Sequence, residues 1–232
     1  MKVKKIGLII ADESEYIMIR KKAEECGAER FDFFSREGHR FELSGYELYT
    51  VLCGVGMVNA AAAATYFATM GVDAMLSFGL SGGINGIRRN EFMVGNEYIE
   101  HDFDLTPLGY KPCEKPLQDY IYKGDETLCN CFTELYPFIK EGVVVSGDSF
   151  ICDDNKRNFF KDAFGAMSCD MESAAIAYVA DLAKIPFTTL RKISDDAGDS
   201  ASESYTDSLD INGDEVLEIL LSAIQKYIDC ER

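Results

Sequence analysis

The chain has 232 residues, 47% of them apolar, which is enough for a packed core and too much for a disordered segment. Forty acidic residues against 23 basic ones give a net charge of −17, which excludes sequence-independent nucleic-acid binding and docking on an anionic membrane, since both need Lys and Arg. Eight scattered cysteines, with Cys129 and Cys131 in C-x-C spacing and only His39 and His101 to assist, exclude a disulfide framework and a zinc knuckle, and point to reduced thiols in the cytoplasm.

The N-terminal "MKVKKIGLIIADESE" holds a short apolar run, residues 5–11, read as a buried parallel strand. Asp12 and Glu13 follow too soon for a secretory leader. No run of about 18 apolar residues is present to span a membrane. Residues 17–29 have helical character with Gly27 as the stop. Residues 30–53 read as short antiparallel hairpins around Gly38 and Gly45, which makes His39 a turn or surface residue. "MVNAAAAATYFATMG" (57–71) is an alanine-rich helix ended by Gly71. Residues 73–79 form a second buried strand running into "GLSGGING", and 92–104 are extended, with His101 structural or at a rim. Residues 143–151 form a third buried strand. "CDMESAAIAYVADLA" (169–183) is a helix packed nearly all round, residues 186–194 are a strand, and 213–229 are an amphipathic terminal helix. Strands alternating with helices, without repeats or linkers, predict a single α/β domain over residues 1–232. Ligands in such folds bind beyond the carboxyl ends of the strands.

Two glycine clusters and three acid clusters fall at such strand ends. "GVGMVNA" (54–60) imitates a dinucleotide fingerprint, but its third glycine is replaced by Asn59 and Asp73 precedes a strand instead of following one. A tight turn accounts for it better. "SFGLSGG" (77–83) could bring backbone N–H groups to a ligand or could be a plain strand-to-helix turn. Glu13 with Glu15, Asp170 with Glu172, and Asp195 with Asp196 could each be helix N-terminal acids. Three such groups on one sheet edge suit a division of acid, base and charge-stabilising roles. The stretch 195–214 is the densest acidic segment and carries no Lys or Arg.

Taken together, "KIGLIIADESE", "GVGMVNAAAAAT", "FGLSGGI", "HDFDLTPLGY", "VVSGDSFI", "DMESAAIAYV" and "PFTTLRKISDDAGD" resemble the nucleoside phosphorylase/nucleosidase superfamily, and most closely its 5′-methylthioadenosine/S-adenosylhomocysteine nucleosidases. The stretches occur in the family's order over nearly the whole chain. The resemblance implies a three-layer α/β/α domain with a central mixed, mostly parallel sheet that hydrolyses a purine N-glycosidic bond and needs no cofactor or metal. It implies Glu15 as activator of the attacking water, Glu172 on the ribose hydroxyls beside Met171, and Asp195 as the acid at N7 of the leaving adenine beside Ser194. It places Phe150 and Ile151 at the base, and Val55 and Gly82 in the substrate-binding lining. Leu108 and Pro116 would cover the neighbouring subunit's pocket in a homodimer.

Three departures accompany the match. The phosphorylases' G-D-P-x-R loop and the Arg before their glycine cluster are replaced here by "ADESEY" and "LSFGLSGG", which favours water over phosphate as the nucleophile. The nucleosidases usually carry an apolar residue where Asp12 stands and a small or polar one where Leu80 stands. The loop "GYKPCEKPLQD" lacks their glycine-glutamine pattern. A phosphorylase of the same fold and an inactive nucleoside-binding protein are the alternatives; the presence of Glu15, Glu172 and Asp195 together weighs against the latter.

Overall fold

The computed structural model describes residues 3–206 and 211–231; part of the acidic stretch and the first two residues of the N-terminal segment lie outside them. Among the described residues ten strands form one connected sheet: β1 (Lys4–Ile10), β2 (Glu29–Phe33), β3 (Arg36–Leu43), β4 (Tyr46–Leu52), β5 (Ala74–Gly83), β6 (Phe92–Glu100), β7 (Ile121–Lys123), β8 (Lys140–Ser146), β9 (Ser168–Asp170) and β10 (Phe187–Asp195). The helices are α1 (Glu13–Cys26), α2 (Met57–Met70), α3 (Glu126–Leu135), α4 (Asp154–Phe164), α5 (Ser173–Ala183), α6 (Ala201–Thr206) and α7 (Gly213–Cys230).

The centre of the sheet is parallel in the order β4-β1-β5-β10. β3 and β2 extend the β4 side by antiparallel pairing. On the other side β10 pairs with β6, β6 with β8, and β8 with β9. β9 then returns to β5 at Gly82 and Gly83, so β5, β10, β6, β8 and β9 close into a ring. The last residues of β5 therefore sit where several strand ends converge.

Alternation along β1 divides the core into two layers. Ile6, Leu8 and Ile10 face α1, α3 and α7, while Ile9 faces α2 and α5. Gly7 lies beneath Phe67 of α2; a Cβ there would stand 2.5 Å from the ring. The small residues of α2 and α5 let these helices lie close to each other and to the sheet, with Ala60, Ala63, Ala64, Ala174, Ala177 and Ala180 buried.

The hairpin region differs from the sequence expectation. The first turn is at Phe34 and Ser35, both with positive φ, and Gly38 lies inside β3. A Cβ at Gly38 would come within 2.5 Å of the Phe31 ring, so close packing and not turning explains this glycine. His39 is correspondingly a core residue: it is buried, with Nδ1 3.1 Å from the Tyr16 hydroxyl. The expected helix at 169–183 is divided, its first residues completing β9 before α5 begins at Ser173.

Candidate active site

The carboxyl ends of β1, β5 and β10, the loops after β4 and β8, and the turn between β9 and α5 enclose a cleft of about 610 Å³, open mouth included. Glu15, Glu172 and Asp195 all line it, together with Val55, Gly82, Phe150, Ile151, Met171 and Ser194. Leu108 and Pro116 do not. Leu108 lies in a short 3₁₀ turn, Thr106–Leu108, and is 72% exposed; Pro116 is exposed in the same long loop. Next to Pro116, Lys115 pairs with Glu100 and lies over the rings of Phe103, Tyr122 and Tyr178, which anchors this part of the loop.

Asp12 caps α1: its Oδ1 accepts from the Ser14 N–H at 2.8 Å and the Ser14 hydroxyl at 2.5 Å. This fixes the first helical turn and delivers Glu15 to the cleft. Glu15 Oε1 accepts a 2.7 Å hydrogen bond from the Leu80 N–H of β5. The glycine cluster "SFGLSGG" is thus neither a turn nor a phosphate loop. It lies within a buried strand, and its missing side chains make room for charged groups. A Cβ on Gly79 would stand 2.3 Å from Arg191 Nη1 and 3.2 Å from both Glu15 carboxylate oxygens. One on Gly82 would stand 3.0 Å from Asp195 Oδ1 and from Cys169 Sγ.

Glu172 occupies the N-cap position of α5, yet its side chain makes no cap bond. Its Oε1 instead accepts from the Gly56 N–H at 2.9 Å. "GVG" thereby aims an N-terminal amide of α2 at a protein carboxylate, and the positive φ of Gly54 and Gly56 allows the required path. Asp170 does the capping. Its Oδ1 accepts from the N–H groups of Glu172 and Ser173, at 3.2 and 3.1 Å, and from the Ser146 hydroxyl at 2.5 Å. Its Oδ2 forms an ion pair with Arg191 Nε at 2.8 Å.

At the end of β10 the register against β5 shifts between Ile193 and Asp195, and the extra residue is Ser194. Such a bulge re-aims side chains. Here both Ser194 and Asp195 line the cleft. Asp195 Oδ2 accepts from the Ser194 hydroxyl at 2.6 Å and Oδ1 from the Ala197 N–H at 2.8 Å.

The three acids are held away from water, and their proton affinities rise accordingly. Burial pushes the Glu15 carboxyl up to about 8; the Leu80 N–H and Arg191 oppose this, while Glu172 and Asp12 add to it. Burial also pushes Glu172 up to about 7, with Asp170 adding to the rise and Arg191 opposing it. Asp195 is raised by burial against the bonds from Ser194 and Ala197. The site therefore holds fewer negative charges near neutrality than its carboxyls suggest.

Sequence reasoning missed two important residues. Arg191 is 1% exposed and also donates to the hydroxyls of Ser77 (3.2 Å) and Ser173 (2.8 Å), forming a cationic floor beneath the acids. An Arg in the middle of a strand between helices, "PFTTLRKIS", was the available signal, since such a charge is seldom buried unpaired. Tyr205 of α6 lines the cleft and meets Phe150 edge-on, with ring centroids 5.5 Å apart at 71°. Its helix is too short to show periodicity. Burial, with Glu15 and Asp12 next, pushes its phenol up to about 12.

No helix among the described residues is long and apolar enough to cross a membrane. A family model described as "Phosphorylase superfamily" matches residues 5–225. The 5′-methylthioadenosine/S-adenosylhomocysteine nucleosidase of Geobacillus sp. (strain WCH70) is 30% identical over 228 residues, covering 95% of this chain and 97% of the relative. The aminodeoxyfutalosine nucleosidase of Campylobacter jejuni is 30% identical over 166 residues, covering 69% of this chain and 72% of the relative. The crystal structure of the Neisseria meningitidis 5′-methylthioadenosine/S-adenosylhomocysteine nucleosidase in complex with methylthio-immucillin-A is 25% identical, with a TM-score of 0.87 and coverage of 95% of this chain and 98% of that one. The chain belongs to the phosphorylase superfamily and, within it, to the nucleosidase family of these relatives.

Proposed function

We propose that the protein hydrolyses the N-glycosidic bond of an adenine nucleoside of the methylthioadenosine or S-adenosylhomocysteine type, releasing adenine and a free sugar. The observation that carries this reading is the convergence of Glu15, Glu172 and Asp195 on one cleft with raised proton affinities. Breaking the bond between C1′ and N9 develops positive charge on the sugar and negative charge on the purine. The demands are those of an inverting glycosidase: an acid at the leaving group and a base on water.

Asp195, raised by burial, delivers a proton to N7 of the base, with Ser194 orienting its carboxyl. Glu172, fixed by the Gly56 N–H, accepts from the ribose hydroxyls, with Met171 against the sugar. Glu15, tethered to the Leu80 N–H, takes the proton of the attacking water; a carboxylate pushed up to about 8 is a stronger base than an ordinary one. Phe150 and Tyr205 offer faces and edges to the purine, and Ile151 closes its edge. Arg191 balances the charge of Asp170 and of whichever other acid is ionised. Among the described residues no Arg or Lys lines the cleft, which favours water over phosphate as the second substrate.

The assignment is tested with Glu15→Gln and Asp195→Asn on adenine release from methylthioadenosine. Acid–base groups contribute roughly 10²–10⁴-fold, so each change is expected to slow release at least a hundredfold. A loss below about tenfold in both would show the roles to be wrong.

The functional unit in this proposal is a cytoplasmic homodimer in which Leu108 and Pro116 cover the neighbour's cleft. Their exposure on a loop outside their own cleft supports this. Sedimentation at micromolar concentration is expected to give a dimer, and a monomer would remove the role assigned to these two residues.

A further inference from the structure

The order β4-β1-β5-β10 gives the cleft a direction. All four strands end at the same edge, and adjacent strands lie about 4.8 Å apart. Asp195 ends β10, Asp12 follows β1 two strands away, and Val55 follows β4 three strands away. These offsets are roughly 10 and 14 Å, about the reach of a nucleoside from its base to its 5′ arm. With the base at Asp195 and the sugar at Glu172, the 5′ arm falls toward Asp12 and Val55.

A thioether arm carries no hydrogen-bond donor and would be served by an apolar lining. The lining here includes a carboxylate. Asp12 uses Oδ1 to cap α1, and its Oδ2 has no hydrogen-bond or ion-pair partner among the described residues. Capping alone would be met equally by Ser or Asn. The neighbouring Leu80 presents no side-chain polar group that could satisfy the second oxygen.

We propose that Asp12 is a specificity-determining residue, selecting nucleosides whose 5′ arm carries a hydrogen-bond donor or a positive charge. This rests on the nucleosidase reading above. A 5′-hydroxyl or 5′-ammonium donates to Asp12 Oδ2 in place of water. A methylthio group desolvates that oxygen without replacing the lost bond. A 5′-carboxylate meets the Asp12 carboxylate and is repelled.

The test measures kcat/KM for adenine release from adenosine, 5′-amino-5′-deoxyadenosine, methylthioadenosine and adenosine-5′-carboxylate. The enzymes are the unaltered protein, Asp12→Asn and Asp12→Met. The unaltered protein is expected to favour the amino and hydroxyl arms over methylthio and to reject the carboxylate. Asp12→Met is expected to shift the amino-to-methylthio ratio about 10- to 100-fold toward the thioether, the range of one charge-assisted hydrogen bond. Asp12→Asn keeps the helix cap on its oxygen and turns its amide N–H toward the arm, from which a 5′-hydroxyl oxygen accepts but a 5′-ammonium cannot, so it should lose roughly tenfold on the amino arm alone. Ratios within about threefold of the unaltered protein in both variants, or an equal loss on every substrate, would reduce Asp12 to a helix cap and overturn the proposal. Failure of the unaltered protein to release adenine from any of the four would instead overturn the nucleosidase reading and this inference with it.

Discussion

Glu15→Gln should make the protein less active and more stable, with the stability gain growing with pH. Glu15 has its proton affinity moved from the ordinary 4.5 to about 8 by burial. A carboxyl raised in the folded state imposes no cost below its unfolded pKa. The cost grows between pH 4.5 and 8 and is complete above the folded value. At about 1.36 kcal/mol per pH unit, the gap of 3.5 between the two values amounts to about 5 kcal/mol at high pH. The same linkage gives about 1 kcal/mol at pH 5 and about 3 at pH 7. Gln matches the protonated acid in shape, keeps an oxygen for the Leu80 N–H and never ionises. Glu172 and Asp195 remain in both proteins and largely cancel. The advantage of the variant should therefore widen by about 4 kcal/mol from pH 5 to pH 9. For a chain of this size, that corresponds to roughly 8–16 °C in Tm. Thermal and urea unfolding of both proteins across this range measures it. Parallel pH profiles, or a variant that loses ground as pH rises, would refute the burial argument for Glu15.

Two further outcomes follow from the floor of the site. Arg191→Met would leave Asp170 buried and unpaired, so urea unfolding should show a loss of about 3–5 kcal/mol; a loss below 1 kcal/mol would deny the pairing its importance. Gly79→Ala would drive a methyl against Arg191 Nη1 and both Glu15 oxygens, and adenine release should fall more than tenfold. If the variant stays within twofold of the parent, β5 does not set the position of Glu15.

Much of this architecture is legible in the amino-acid order, for identifiable reasons. Continuous apolar runs such as "KIGLII" mark strands buried on both faces, and alanine-rich α2 and α5 mark helices pressed close to a sheet. The three acids stand out because carboxylates at successive strand ends are too regular for simple capping. Local reading fails where long-range packing decides. Gly38 resembles a turn glycine until Phe31 is seen above it, and "SFGLSGG" resembles a loop until Arg191 and Asp195 fill the space beside it. The β10 bulge that orients Ser194 and Asp195 exists only relative to β5, so no pattern within residues 187–195 reveals it. The closure of β9 onto β5 involves two residue pairs far apart in sequence, again invisible to periodicity.

The most direct test of the account is the sugar product formed from methylthioadenosine, identified by NMR or mass spectrometry with and without inorganic phosphate. Hydrolysis requires adenine and free 5-methylthioribose at a rate independent of phosphate. Formation of the sugar 1-phosphate, with release that depends on phosphate, would contradict it.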